Sequence, residues 1–217
     1  LISQSYINLK NEITYLKTHN AMCKVENNLF TNLENTLGVI YLVRDPRDIV
    51  LSYANHDNTN HRAIYEIISK QGYIAALPDT YDDKSSFKIE SRKKMIAGSV
   101  WGSWSENYNS WKNSKFPNKL IIKYEDMVLE PVKIFSSIIN FLNKVYGLTI
   151  NEEKIKKSIL ATNFSNLKKM EKKYGFEESL YKSDSSKNTF FNKGEVGLGK
   201  KLLDKNILHK VEKLFKI

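Results

Sequence analysis

Three runs of the chain combine apolar side chains with residue types that favour extended structure. Ile13 to Thr18, Val39 to Val43 and Leu120 to Tyr124 read as strands. The second is apolar throughout, the pattern of a parallel strand covered on both faces. Directly after it, Asp45-Pro46-Arg47-Asp48 opens a helix, with Asp45 as N-cap, Pro46 in the first helical position and Asp48 placed like the acid of a capping box. A longer helix is predicted from Val132 to Tyr146. There Ile134, Phe135, Ile138, Phe141, Leu142 and Val145 form one apolar stripe, and Gly147 ends it. Asn151 caps the next helix, with Glu152 and Glu153 in its first turn. Strands alternating with helices in this way predict an α/β fold with a mainly parallel sheet.

Between His56 and Lys94 the pattern is less regular: a helix is predicted around Arg62 to Ala76, then a polar segment from Pro78 to Ser86. Long irregular insertions in compact domains are often functional loops or lids, so this one can border an acceptor site or simply cover surface. No internal repeat or low-complexity tract interrupts the chain, and its four prolines do not cluster into a linker. Residues 1–217 therefore read as a single domain.

Composition agrees with a globular protein: 41% of residues are hydrophobic and 27% charged. At 217 residues the chain is long enough to bury roughly 70% of the surface that its unfolded form exposes. The longest apolar run, Leu37 to Val43, is about a third of the ~20 residues that a membrane-spanning helix needs, so no membrane partner is expected. Cys23 is the only cysteine, which rules out an intramolecular disulfide and points to a reducing compartment, by default the cytoplasm. The net charge of +10 fits a negatively charged substrate or partner. Lysines scattered along a chain also do no more than solvate it. The chain opens at Leu1 with neither a methionine nor a signal-peptide pattern, and it is read as part of something longer.

Two segments carry candidate chemistry. In the first, the strand Val39 to Val43 delivers Arg44 to the carboxyl edge of the sheet, where open α/β folds bind ligands, and the following helix points its positive end into the same space. Ser52, two turns into that helix, adds a hydroxyl, so guanidinium and hydroxyl can converge on one phosphate. The alternative is an arginine paired with Asp45 or Asp48 at a strand end. In the second segment, Tyr15-Leu16-Lys17-Thr18-His19, strand geometry projects Lys17 and His19 to one side. An imidazole is suited to taking a proton and an ammonium to neutralising charge that develops in a transfer, though an exposed strand end has the same sequence.

Together these segments resemble the cytosolic-type sulfotransferase family. Lys17-Thr18-His19 is similar to that family's catalytic strand end, and Arg44 with Ser52 eight residues later is similar to its 3′-phosphate motif. Trp104 and Trp111 lie in a Gly-Ser-Trp…Ser-Trp pattern like that of its central helix. Trp101, Trp104 and Trp111, at helical spacing, read more simply as core residues on one face. Tyr124 in Lys123-Tyr124-Glu125-Asp126 resembles a tyrosine near the adenine, and Thr162-Asn163-Phe164 the element completing the adenine pocket. Phe191-Asn192-Lys193-Gly194 resembles the late Arg-Lys-Gly loop on the 3′-phosphate. Each also has a plain structural reading: Tyr124 can close a strand, Phe164 can sit in a core and Lys193 can be one surface lysine among many. Six matches in the family's order are far more specific than any one.

Three departures stand beside the matches. Asn192 replaces the loop's arginine, and the family's following Gly-Asp-Trp is Gly197-Leu198-Gly199. Nothing like the Pro-Lys-Ser-Gly-Thr loop that holds the 5′-phosphosulfate occurs, so that loop is expected before Leu1 and these residues alone are not expected to transfer sulfuryl groups.

The resemblance implies a three-layer α/β fold like that of kinases with a phosphate-binding loop. It further implies 3′-phosphoadenylyl sulfate (PAPS) as donor, adenosine 3′,5′-bisphosphate (PAP) as product, no required metal, and in-line transfer to a hydroxyl or amine with His19 as general base and Lys17 as charge stabiliser. The acceptor would be a small molecule or carbohydrate, and neither its identity nor the oligomeric state is legible. Three rivals come from other classes. A nucleotide-binding module without chemistry keeps the same motifs. An RNA-binding protein is suggested only by charge and lacks a basic stripe interleaved with aromatics, so no nucleic-acid partner is expected. A nucleotide kinase would need a Gly-x-x-x-x-Gly-Lys-Ser/Thr loop, which the sequence lacks.

Overall fold

The computed structural model of the protein describes residues 12–25, 28–77, 97–149, 151–175 and 189–216. In chain order these form strands β1 (Lys24–Val25), β2 (Asn28–Leu29) and β3 (Val39–Val43), helices α1 (Pro46–His56) and α2 (His61–Ser69), and strands β4 (Ile74–Leu77) and β5 (Ala97–Val100). Helix α3 (Trp104–Lys112) and strand β6 (Lys119–Lys123) follow, then helices α4 (Tyr124–Leu129), α5 (Pro131–Tyr146), α6 (Glu152–Ala161), α7 (Phe164–Tyr174), α8 (Leu198–Leu202) and α9 (Lys205–Phe215). They group into two compact units, residues 1–37 with 68–116 and residues 38–67 with 117–217. Among the described residues no helix is long and apolar enough to cross a membrane.

The second unit is organised by the parallel pair β3 and β6, whose register runs from Val39 opposite Lys119 to Val43 opposite Lys123. Because both strands end at the same level, Arg44 and Tyr124 leave the sheet side by side. Coverage of β3 differs from the expectation: Ile40 and Leu42 are 42% and 51% exposed, so an apolar run need not be buried on both faces. Helix α1 begins as its sequence predicts, with Pro46 in its first turn and Asp45 accepting from the Arg47 amide. Helix α5 ends at Gly147, which takes the left-handed conformation at φ 78°. Asn151 caps α6 by accepting from the Lys154 amide. Fully buried Val50, Ile64 and Val211 bring α1, α2 and α9 into the core. Each such side chain stabilises by about 1.5–3 kcal/mol.

Asp48 does something other than close a capping box. It is 1% exposed, and its two side-chain oxygens accept from the amides of Gly197 and Gly199, both at 2.7 Å. The carboxyl thus satisfies the opening of α8 instead of its own helix. Glycine is required at position 199 for a separate reason, since a Cβ there would overlap the Arg47 backbone. Gly199→Ala is accordingly expected to destabilise the protein. Overpacking costs about 1–3 kcal/mol and displaces the amide from Asp48, whereas the gain in helix propensity is only about 1 kcal/mol. A thermal midpoint several degrees lower in the variant is the expected reading, and an unchanged or raised midpoint would refute the close approach.

In the first unit, β1 pairs antiparallel with β2, and β4 pairs antiparallel with β5. Helix α3 opens with a full capping box, in which Ser103 accepts from the Glu106 amide and Glu106 accepts from the Ser103 amide. Trp111, 5% exposed, anchors this unit, donating from Nε1 to the carbonyl of Asn20 at 2.9 Å.

Three expectations are corrected here. Residues 13–20 form no strand, and Ile13, Tyr15 and Leu16 are exposed: β-favouring side chains without a ladder partner do not make a strand. The helix expected from Arg62 to Ala76 stops at Ser69, Gly72 turns the chain at φ 60°, and Ile74–Leu77 pairs as β4. Trp101 precedes α3, so it does not share a helix face with Trp104 and Trp111. The polar segment from Pro78 to Ser86 lies outside the described residues.

Candidate active site

At the shared carboxyl edge of β3 and β6, the Arg44 guanidinium lies over the Tyr124 ring, 4.5 Å from its centroid. Such a cation–π contact contributes about 0.5–2 kcal/mol and fixes the plane of the guanidinium. The two acids that sequence offered as partners for Arg44 are otherwise engaged. Asp45 accepts from Arg47 Nε at 2.9 Å and pairs with its Nη2, while Arg47 Nη1 reaches Glu212 of α9 at 3.1 Å. Burial pushes the Asp45 carboxyl up, but the hydrogen bonds and charge of Arg47 outweigh it and hold the group below the usual carboxylate range. Asp48 is held by the glycine amides of α8. Glu125, at the start of α4, accepts from the Asp45 amide at 2.8 Å and ties the two strand ends together.

Ser52 is exposed on α1. One turn further along, Asn55 donates to the carbonyl of Thr189 at 3.2 Å and accepts from Asn192 Nδ2 at 2.6 Å. The late loop therefore lies against the part of α1 that follows Ser52. From α7, the Phe164 ring meets Phe191 edge-to-face at 6.0 Å, and Lys168 Nζ donates to the carbonyl of Asn192 at 2.8 Å. Glu171 accepts from the amides of Phe190 and Phe191 at 2.6 and 2.9 Å. Gly194 is required on two counts: its φ is 65°, and a Cβ would overlap the Phe164 ring. Lys193 is exposed between them. Thr162 donates its hydroxyl to the Ser158 carbonyl at the end of α6, and Asn163 caps α7 immediately before Phe164.

The structure thus brings Arg44 to Tyr124, and brings Phe164, Asn192 and Gly194 together beside α1. Asn192 differs from a ready ligand, because its side-chain amide is bonded to Asn55 and its carbonyl to Lys168. Sequence reasoning missed Asp48, Asn55, Lys168 and Glu171 as supports of this region. Nothing local marks them: they are ordinary polar residues whose partners lie between 19 and 151 positions away in the chain.

Lys17 and His19 belong to the other unit. They are exposed, and because no strand forms there the projection of both to one side no longer follows from alternation. The backbone at His19 is nevertheless fixed. Asn107 of α3 donates to the carbonyls of both His19 and Trp101, at 3.1 and 2.8 Å. Asn20 accepts from the Val100 amide at 2.6 Å, and Ala21 donates to the Val100 carbonyl at 2.7 Å. The imidazole sits beside Trp101, with ring centroids 5.7 Å apart. An exposed imidazole on an immobilised backbone, flanked by an aromatic ring, is able to exchange a proton with a bound hydroxyl.

Comparison with known proteins bears on the family and the fold. Sulfotransferase 1B1 of Mus musculus is 29% identical over 166 residues, covering 76% of this chain and 48% of that protein. The luciferin sulfotransferase of Photinus pyralis is 28% identical over 166 residues, covering 73% and 39%. The chain spans about half the length of the curated relatives it matches. Among solved structures, mouse sulfotransferase SULT7A1 complexed with PAP aligns with a TM-score of 0.52 at 23% identity, over 82% of this chain and 57% of that one. Retinol dehydratase in a complex with retinol and PAP aligns with a TM-score of 0.55 at 21% identity, over 82% and 46%. These alignments establish the α/β sulfotransferase fold, with parallel strands and flanking helices. The family model described as the sulfotransferase domain matches residues 3–216, nearly the whole chain, which therefore belongs to the sulfotransferase family.

Proposed function

We propose that the protein is a PAPS-dependent sulfotransferase acting on a hydroxyl or amine of a small-molecule acceptor. Two arrangements within one unit support this reading: Arg44 lies over Tyr124 at the ends of β3 and β6, and Asn192 of the late loop is bonded to Asn55 of α1 while Phe164 packs on Phe191. Arg44 and Ser52 bind the 3′-phosphate, with Lys193 and Gly194 of the late loop alongside. Tyr124, Thr162 and Phe164 border the adenine. Bound donor supplies an activated sulfuryl group. His19 takes the proton from the acceptor as its oxygen or nitrogen attacks sulfur in line, and Lys17 neutralises charge on the group in transit. The bond from sulfur to the bridging phosphate oxygen breaks as the new bond forms, and PAP leaves with the electron pair. Positioning and electrostatics supply most of the rate in such transfers.

Acceptor chemistry follows the relatives only as a class: one neighbour is a retinol dehydratase complexed with androsterone and PAP, and one relative is a luciferin sulfotransferase. An acceptor screen of small hydroxylated and amine compounds with labelled donor, on full-length protein, tests the reading. Acceptor-dependent transfer of label supports it. Nucleotide binding without turnover on any acceptor would favour the rival that the engaged side chain of Asn192 suggests, a module that binds the nucleotide and performs no chemistry.

A further inference from the structure

We propose that Glu171 is a positioning residue for the nucleotide: by holding the amides of Phe190 and Phe191, it sets the loop of Asn192, Lys193 and Gly194 to receive the 3′-phosphate. The proposal rests on the assignment of that phosphate to Arg44, Ser52 and this loop. Both side-chain oxygens of Glu171 are engaged, Oε1 by Phe190 and Oε2 by Phe191, at 2.6 and 2.9 Å. Spacings of four and three residues put Phe164, Lys168 and Glu171 on one face of α7, and all three meet the same loop. Across the loop, Asn55 holds Thr189 and Asn192 from α1. Residues 189–194 are therefore held by side chains from two helices before any ligand arrives. With Asn192 in place of an arginine, the loop supplies one fixed cation fewer, so its affinity depends more on how well its backbone is pre-set.

The charge of Glu171 makes the proposal sharp. A carboxylate bound to amides one and two residues before the loop that takes a phosphate opposes that anion through space. Neutralising it should tighten binding if charge were its only influence, and weaken binding if it positions the loop. The two roles predict opposite signs.

Calorimetry at fixed salt, with PAP and 5′-AMP on full-length unmutated protein and on Glu171→Gln, reads the sign. PAP affinity is expected to fall about threefold to tenfold in the variant, the scale of one or two lost hydrogen bonds, with 5′-AMP affinity unchanged because it lacks the 3′-phosphate. Amide hydrogen exchange at Phe190 and Phe191 in the free variant should be faster than in the unmutated protein. Helix α7 contributes no buried residue, so the substitution leaves the core intact. PAP binding that is unchanged or tighter, equal losses for both nucleotides, or unaltered exchange at the two amides would each overturn the role of Glu171. If the unmutated protein itself shows no preference for PAP, the phosphate assignment falls and takes this role with it. A preference undiminished in Glu171→Gln removes the role of Glu171 alone.

Discussion

Replacing His19 with alanine in the full-length protein is expected to lower kcat by roughly 10²- to 10⁴-fold, the usual contribution of a positioned general base. The affinity for PAP should be nearly unchanged. The structure makes the substitution a clean one, because the backbone at His19 is held by Asn107 through its carbonyl and by the neighbouring Asn20 and Ala21 on Val100. None of these bonds uses the imidazole. Loss of the side chain removes the ring beside Trp101 and leaves these backbone bonds in place. Full kcat in His19→Ala would remove the residue from the mechanism.

Substituting Arg44 by alanine is expected to weaken PAP by about tenfold or more, because a charge-assisted hydrogen bond contributes about 1.5–3 kcal/mol. Binding of 5′-AMP should change much less. The guanidinium rests on Tyr124, and the two acids closest in sequence are engaged by Arg47 and by the glycine amides of α8. Its removal therefore leaves intact the two connections that join α1 to α8 and α9. A parallel loss of thermal stability and of affinity for both nucleotides would assign Arg44 to the fold instead.

What could be read from sequence was what depends on neighbours. The Asp45-Pro46 start of α1, the Gly147 stop of α5 and the Asn151 cap of α6 each involve partners within a few residues, and all three form as read. The errors come where a short apolar run has to find a distant partner. Ile13 to Thr18 has the composition of a strand but no ladder, whereas Ile74 to Ala76, read as the tail of a helix, pairs with β5 as part of β4. Asp48 shows the same limit in a side chain: its position suggested a cap on its own helix, and its bonds go to Gly197 and Gly199 instead. For the candidate site, ordered motifs named Arg44, Ser52 and the late loop. The polar residues that hold the loop, Asn55, Lys168 and Glu171, carry no motif, because what defines them is a meeting of α1 and α7 with residues 189–194.

The measurement that bears most directly on the nucleotide assignment is the relative affinity of the unmutated full-length protein for PAP and for 5′-AMP. The two ligands differ only at the 3′-phosphate, so neither the acceptor nor the chemistry enters. Calorimetry at one fixed salt concentration separates a built site from general attraction of anions to a protein of net charge +10. One well-made contact to the 3′-phosphate predicts that PAP binds about tenfold or more tightly, with Asn192 in place of an arginine keeping the ratio modest. Equal affinity for the two nucleotides would contradict the assignment and return Arg44 and Ser52 to purely structural roles.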